Sequence, residues 1–143
     1  MHNYFQQYKF RGDYRVRAVF ATLMRTTVNQ LAGDVVLTIP VTASTMVTRG
    51  FNQVTGWLTD GLNQVDGLAT LVQEKGVAQS QKARQERMET PQPFKLVMGA
   101  ERLRQRRVIL VDDIYTTGRT MRHAADLIIE NGAKSVTGLT LAR

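Results

Sequence analysis

Cysteine is missing from the 143-residue chain. Its absence excludes a disulfide framework, a thiolate metal site and a cysteine nucleophile, and it suits a cytoplasmic protein. Long apolar runs are missing too. None approaches the roughly 20 residues that cross a bilayer, so membrane insertion is not expected. No amino-terminal stretch joins basic residues to an apolar block and a small-residue cleavage site, so no signal peptide is expected. Proline occurs only at 40, 91 and 93, and the two histidines, His2 and His123, have no metal-ligand spacing. Neither a Gly-rich Walker loop with Lys-Ser/Thr nor a GxGxxG run is present. Acids are in deficit: 12 stand against 19 basic residues, a net charge of +7.

What is present describes an ordinary globular domain. Apolar residues make up 43% and charged residues 22%, and the length fits one domain with a core of its own. The positive excess is uneven. Residues 1–31 carry +4, 32–74 carry −3, 75–107 carry +6 and 108–143 are neutral. Arginine dominates, and its planar fork favours phosphate and carboxylate partners. A phosphorylated small molecule and a nucleic acid both meet that requirement, and so does a solvated basic face.

The apolar pattern alternates between two periods. From Asp13 to Leu31, Val16, Val19, Phe20, Leu23, Met24, Val28 and Leu31 have helical spacing, with Asp13 as N-cap and Gly33 as the stop. Residues 35–41 form a short β-branched run that predicts a buried parallel strand closed by Pro40. Phe51, Val54, Trp57, Leu58, Leu62 and Val65 predict a second helix with Trp57 in the core. Residues 68–72 predict the next strand. Residues 74–93 then lose all periodicity and end in two prolines, which predicts a long polar loop, mobile over 81–93. Strand character resumes at 94–98 and again at 108–111. A helix is expected from about Arg119 to Asn131, with Met121, Ala125, Ile128 and Ile129 inward and Gly132 as its stop. Val136, Leu139 and Leu141 mark a last strand. The expected fold is α/β, a mostly parallel sheet with helices on both faces.

The chemistry is concentrated in VILVDDIYTTGRT, residues 108–120. Asp112 and Asp113 stand at the carboxyl end of an apolar strand, where open α/β sheets bind ligands. Tyr115, Thr116, Thr117, Gly118, Arg119 and Thr120 lead into a helix whose first N–H groups favour a phosphate. The carboxylates can accept hydrogen bonds from sugar hydroxyls or help hold Mg²⁺ through them. A ribose 5-phosphate fits both halves at once. A threonine N-cap beside two solvated acids is the competing account.

At these residues the chain resembles the type I phosphoribosyltransferases. Two further segments narrow the resemblance to the ComF/ComFC branch. Residues 8–13 (YKFRGD) are similar to its KYRGD segment, and residues 49–53 match its RGFNQ motif. Gln81, Arg87, Phe94 and the closing residues 141–143 also fall where that branch has their counterparts. Its four-cysteine zinc-binding module is absent, so one phosphoribosyltransferase-like domain over 1–143 is expected, as in a chain cut just before the KYRGD-like segment.

The resemblance implies a type I phosphoribosyltransferase fold with a flexible hairpin loop over the site. It implies phosphoribosyl pyrophosphate, or another ribose 5-phosphate, as ligand with Mg²⁺. Asp112 and Asp113 would hold the ribose hydroxyls and through them the metal. Residues 115–120 would take the 5′-phosphate. Val41, Thr42, Arg49 and Arg84 would face the pyrophosphate, and Arg87 would join Asp112 and Asp113 in catalysis when the loop closes. Residues 41–48 have no charge where this branch usually carries His, Lys or Arg. For RGFNQ, polar contact with the site and simple helix-start packing both remain open; for YKFRGD, packing is favoured. The resemblance also implies a link to competence and DNA uptake, with single-strand DNA, competence proteins and a homodimer among the partners. A non-catalytic adaptor that keeps the pocket is the alternative to a transferase.

Overall fold

The computed structural model describes residues 1–58, 62, 64–65, 67–70 and 91–143. Among them, four parallel strands form the central sheet in the order β2-β1-β5-β6: β1 Val35–Thr38, β2 Gln64–Val65, β5 Arg107–Ile114 and β6 Ser135–Ala142. A second sheet pairs β3 Leu68–Thr70 with β4 Phe94–Leu96 antiparallel, Leu68 against Leu96. These are the two flanks of the expected hairpin. Its interior, residues 71–90 with Gln81, Arg84 and Arg87, lies outside the described residues.

Strand β1 is buried along its whole length because both faces are covered. Side chains alternate across the sheet. Leu37, Val108 and Leu110 join a cluster with Met121, Ala124 and Ile128 of α5 (Arg119–Glu130) and with Leu68 and Phe94 of the hairpin. Val36, Ile109 and Val111 face the other way. They pack on Phe5 of α1 (His2–Phe5), Tyr8, Met24 and Val28 of α2 (Ala18–Leu31), and Val54 and Trp57 of α4 (Gln53–Leu58). The expected parallel sheet with helices on both faces is therefore observed.

Several element boundaries differ from expectation. Asp13 does cap, but it caps a 3₁₀ turn at Tyr14–Arg17 ahead of α2, and α2 ends on left-handed Ala32, not Gly33. The row Phe20-Met24-Val28 turns inward, while the parallel row Val19-Leu23-Leu31 is exposed. The apolar stripe is wider than the contact it makes. Residues 43–49 form a helix, α3 (Ala43–Arg49), which the polar sequence did not announce. The second helix stops its described course at Leu58, and Val65 belongs to β2. Strand β5 continues through both aspartates. Ile129 faces solvent at 47% exposure and Ala124 takes its place in the core. Gly132 follows α5 with φ +93°, as a helix stop requires.

Candidate functional site at the carboxyl edge of the sheet

The carboxyl ends of β1 and β5 lie side by side, because Thr38 is in register with Val111 and Ile39 N–H donates to the Val111 carbonyl at 2.9 Å. Every described residue of the expected ligand set lies in or after one of these two ends. The alternation that sorts the core also sorts the acids. Asp112 continues the Val108-Leu110 face, toward α5 and the hairpin, and Asp113 continues the Ile109-Val111 face, toward the amino-terminal helices.

The two carboxyls consequently have different surroundings. Asp112 is half-buried, and its Oδ1 accepts the Asp113 N–H at 2.8 Å. Burial pushes its pKa up to about 6, with the Asp113 charge adding to the rise and Lys9 opposing it. Asp113 is 7% exposed. Its Oδ2 meets the Lys9 ammonium and accepts from Gln53 Nε2 at 2.5 Å.

The turn after β5 is set by its backbone. Tyr115 N–H donates to the Ala142 carbonyl at 2.8 Å, which anchors the turn to β6. Gly118 adopts φ +74° as the residue preceding α5. A Cβ there would run into the Tyr115 ring, with Cζ at 2.6 Å. Thr116, Thr117, Arg119 and Thr120 are exposed around the first turn of this 12-residue helix. The threonine hydroxyls, the Arg119 guanidinium and the helix-start N–H groups form an anion-favouring edge.

On the β1 side, Thr42 does not lie in an open loop. Its Oγ1 accepts from Thr45 N–H at 3.2 Å as the N-cap of α3. A cleft of about 780 Å³ opens beside it, lined by Tyr14, Thr38, Val41, Arg49 and Phe51 among others. Val41 and Arg49 of the expected pyrophosphate set therefore share one cavity. Arg49 Nε donates to the Lys9 carbonyl at 3.0 Å, and its Nη1 donates to Gln53 Oε1. Asn52 bridges the same corner. Its Nδ2 donates to the Ile39 carbonyl and its Oδ1 accepts the Val54 N–H, both at 2.9 Å.

The structure thus brings Asp112, residues 115–120, Val41, Thr42 and Arg49 to one edge, with Asp113 beneath them. Arg84 and Arg87 lie outside the described residues. Sequence reasoning assigned Lys9 to packing and missed its pairing with Asp113. A signal was available: Phe5 and Lys9 are four residues apart in a helical stretch, on one face. The Phe5 ring lies 4.4 Å from the Lys9 nitrogen. A cation on an apolar face requires a carboxylate partner.

The phosphoribosyl transferase domain model matches residues 15–143. The chain belongs to the phosphoribosyltransferase family. It is 35% identical over 144 residues to the competence protein ComFC of Streptococcus pneumoniae (strain ATCC BAA-255 / R6), covering 100% of this chain and 63% of that protein. It is 32% identical over 142 residues to the competence protein ComFC of Bacillus subtilis (strain 168), covering 96% and 57%. The chain therefore spans about 60% of the length of these curated relatives. Two solved structures share the fold. The glutamine phosphoribosylpyrophosphate amidotransferase of B. subtilis, complexed with ADP and GMP, aligns at TM-score 0.55 and 20% identity, over 87% of this chain and 26% of that one. An allosteric regulatory enzyme of purine biosynthesis aligns at TM-score 0.51 and 19% identity, with the same coverage of 87% and 26%.

Proposed function

We propose that this domain binds phosphoribosyl pyrophosphate, or a related ribose 5-phosphate, at the carboxyl edge of β1 and β5, and transfers the phosphoribosyl group to a nitrogen nucleophile. The observation that carries the reading is the succession at the end of β5: a half-buried aspartate, then a glycine-shaped turn, then a helix start. Asp112 accepts the ribose hydroxyls. The N–H groups and hydroxyls of 116–120 receive the 5′-phosphate. Arg49, beside Val41 in the cleft, faces the pyrophosphate.

In the reaction, the C1–O bond breaks and its electron pair leaves with pyrophosphate. The nitrogen lone pair forms the new bond to C1, and the nitrogen's proton passes to the departing pyrophosphate or to water. Among the described residues, no group of three or more His, Asp or Glu side chains could hold a cation unaided. One carboxylate beside a polyphosphate does suit Mg²⁺, which is commonly held by one or two carboxylates and the ligand's own oxygens. Asp112 is the residue that would hold it, through the ribose hydroxyls. Bound Mg²⁺ would offset the charge of the departing pyrophosphate.

A link to competence rests on the names of the two relatives. A second reading, a non-catalytic adaptor for single-strand DNA, is favoured by the exposed arginines 102, 104 and 106 just before β5. No described helix is long and apolar enough to cross a membrane.

Calorimetric titration with phosphoribosyl pyrophosphate and Mg²⁺, paired with an assay for pyrophosphate release in a panel of amines and nucleobases, separates the readings. A transferase binds and releases pyrophosphate with an acceptor. An adaptor that keeps the pocket binds and releases none. Absence of binding removes both small-ligand readings.

A further inference from the structure

Four residues from three separate stretches of the chain close a ring under the site. Arg49 Nε donates to the Lys9 carbonyl at 3.0 Å, and Arg49 Nη1 donates to Gln53 Oε1. Gln53 Nε2 donates to Asp113 Oδ2 at 2.5 Å, and the Lys9 ammonium returns to that same oxygen. The Tyr8 hydroxyl donates to the Gln53 carbonyl at 2.8 Å and pins the ring from below. Tyr8 is fully buried, stacked on Phe51 at 5.2 Å between ring centroids. The ring unites the YKFRGD and RGFNQ segments, of which the ligand reading itself uses only Arg49.

We propose that Lys9, Arg49, Gln53 and Asp113 act as positioning residues: they fix the end of β5, and through it the direction of the Asp112 carboxylate and the start of the phosphate turn. Asp113 works from beneath the site instead of meeting the ribose. The inference rests on the ribose 5-phosphate reading of the site.

Three features support it. The Asp113 carboxylate is buried, so it needs partners in the protein, and it has two of them. The Asp113 N–H orients Asp112 directly, at 2.8 Å, so any shift of Asp113 is passed to its neighbour. The ring also holds two cations against one carboxylate. The surplus positive charge lies with Arg49, which lines the cleft where a pyrophosphate would sit.

The test uses Lys9→Met, Lys9→Arg and Asp113→Asn, with Asp112→Asn as the direct-contact control. Two readouts are needed: calorimetry with ribose 5-phosphate, and the crystal structures of Lys9→Met and Asp113→Asn beside wild type. Lys9→Met should weaken ribose 5-phosphate binding about 5- to 20-fold although Lys9 touches no ligand, and Lys9→Arg should restore most of it. In the Lys9→Met structure the end of β5 should shift and the Asp112 carboxylate should turn from its place on the Asp113 N–H. A merely structural loss would lower the melting temperature without turning that carboxylate. Unchanged affinity in Lys9→Met would overturn the inference, as would loss of affinity that Lys9→Arg does not recover. If the wild-type protein fails to bind ribose 5-phosphate, the proposed function falls. The ring is then judged on the structures, and an Asp112 carboxylate that keeps its direction in both variants rejects it.

Discussion

At the scale of single residues, neighbouring aspartates show how a strand assigns different tasks to the same chemistry. A one-residue step turns Asp113 into the amino-terminal core and leaves Asp112 at the ligand edge. The cost falls on Asp112. Its folded pKa, about 6, lies above its ordinary value of 3.8. For a carboxyl raised on folding, the favourable contribution is complete below the unfolded value and is lost as pH rises through the folded one. Ionised Asp112 therefore destabilises the fold at neutral pH, on the order of 1–3 kcal/mol at about 1.4 kcal/mol per unit. An amide oxygen can still accept the Asp113 N–H. Asp112→Asn is accordingly expected to raise stability at pH 7.5 and to lose that advantage near pH 4, while ribose 5-phosphate binding falls at least tenfold. Urea denaturation at the two pH values checks it. A variant less stable than wild type at pH 7.5 would show that Asp112 is not held against its own solvation.

At the scale of elements, the turn between β5 and α5 was the most legible part of the chain. Its residue types state the geometry directly: four apolar residues, two acids, then a glycine where φ reaches +74°. The two buried strands could be read for the same reason, since few contexts other than a covered parallel strand need Val35 to Thr38 to be nearly all apolar and β-branched. Features without an apolar pattern were less legible. Helix α3 has a polar, threonine-rich sequence, and it forms because Thr42 caps it and left-handed Gly50, φ +82°, ends it. The Lys9–Asp113 pair spans more than a hundred residues: local spacing places Lys9 beside Phe5, and only the fold supplies its carboxylate. Gly118 tests the legible part. Alanine there must adopt a left-handed φ, a cost of about 1–2 kcal/mol. It must also displace Tyr115, whose ring is 39% exposed and free to yield. We expect Gly118→Ala to lose roughly that much stability and to weaken phosphate binding more than Thr116→Ser does. Equal binding by wild type and Gly118→Ala in phosphate titrations would show that the turn does not hold the anion.

At the scale of the whole molecule, the exposed arginine run before β5 and the site lie at opposite ends of that strand. Asp112 stands at the carboxyl edge, while Arg102, Arg104 and Arg106 are exposed before β5 begins at Arg107. Arg107 itself is committed. It donates to Asp34 at 2.9 Å and holds that carboxyl down to about 2. The six steps from Arg106 to Asp112 span about 20 Å of strand, more than twice the roughly 8 Å screening length at physiological salt. Replacing Arg104 and Arg106 by glutamine should thus change ribose 5-phosphate affinity by less than about twofold. If this end binds single-strand DNA, the same double variant should lose DNA affinity, and the slope of log affinity against log salt should shrink by about 0.7 per lost phosphate contact, roughly 1.4 in all. An unchanged slope would mark these arginines as a solvated basic face and leave the adaptor reading without its supporting observation. A large loss of ribose 5-phosphate binding would be the more consequential outcome. It would mean that the ligand does not sit at the carboxyl edge, because no charge 20 Å away through screened solvent can hold it there.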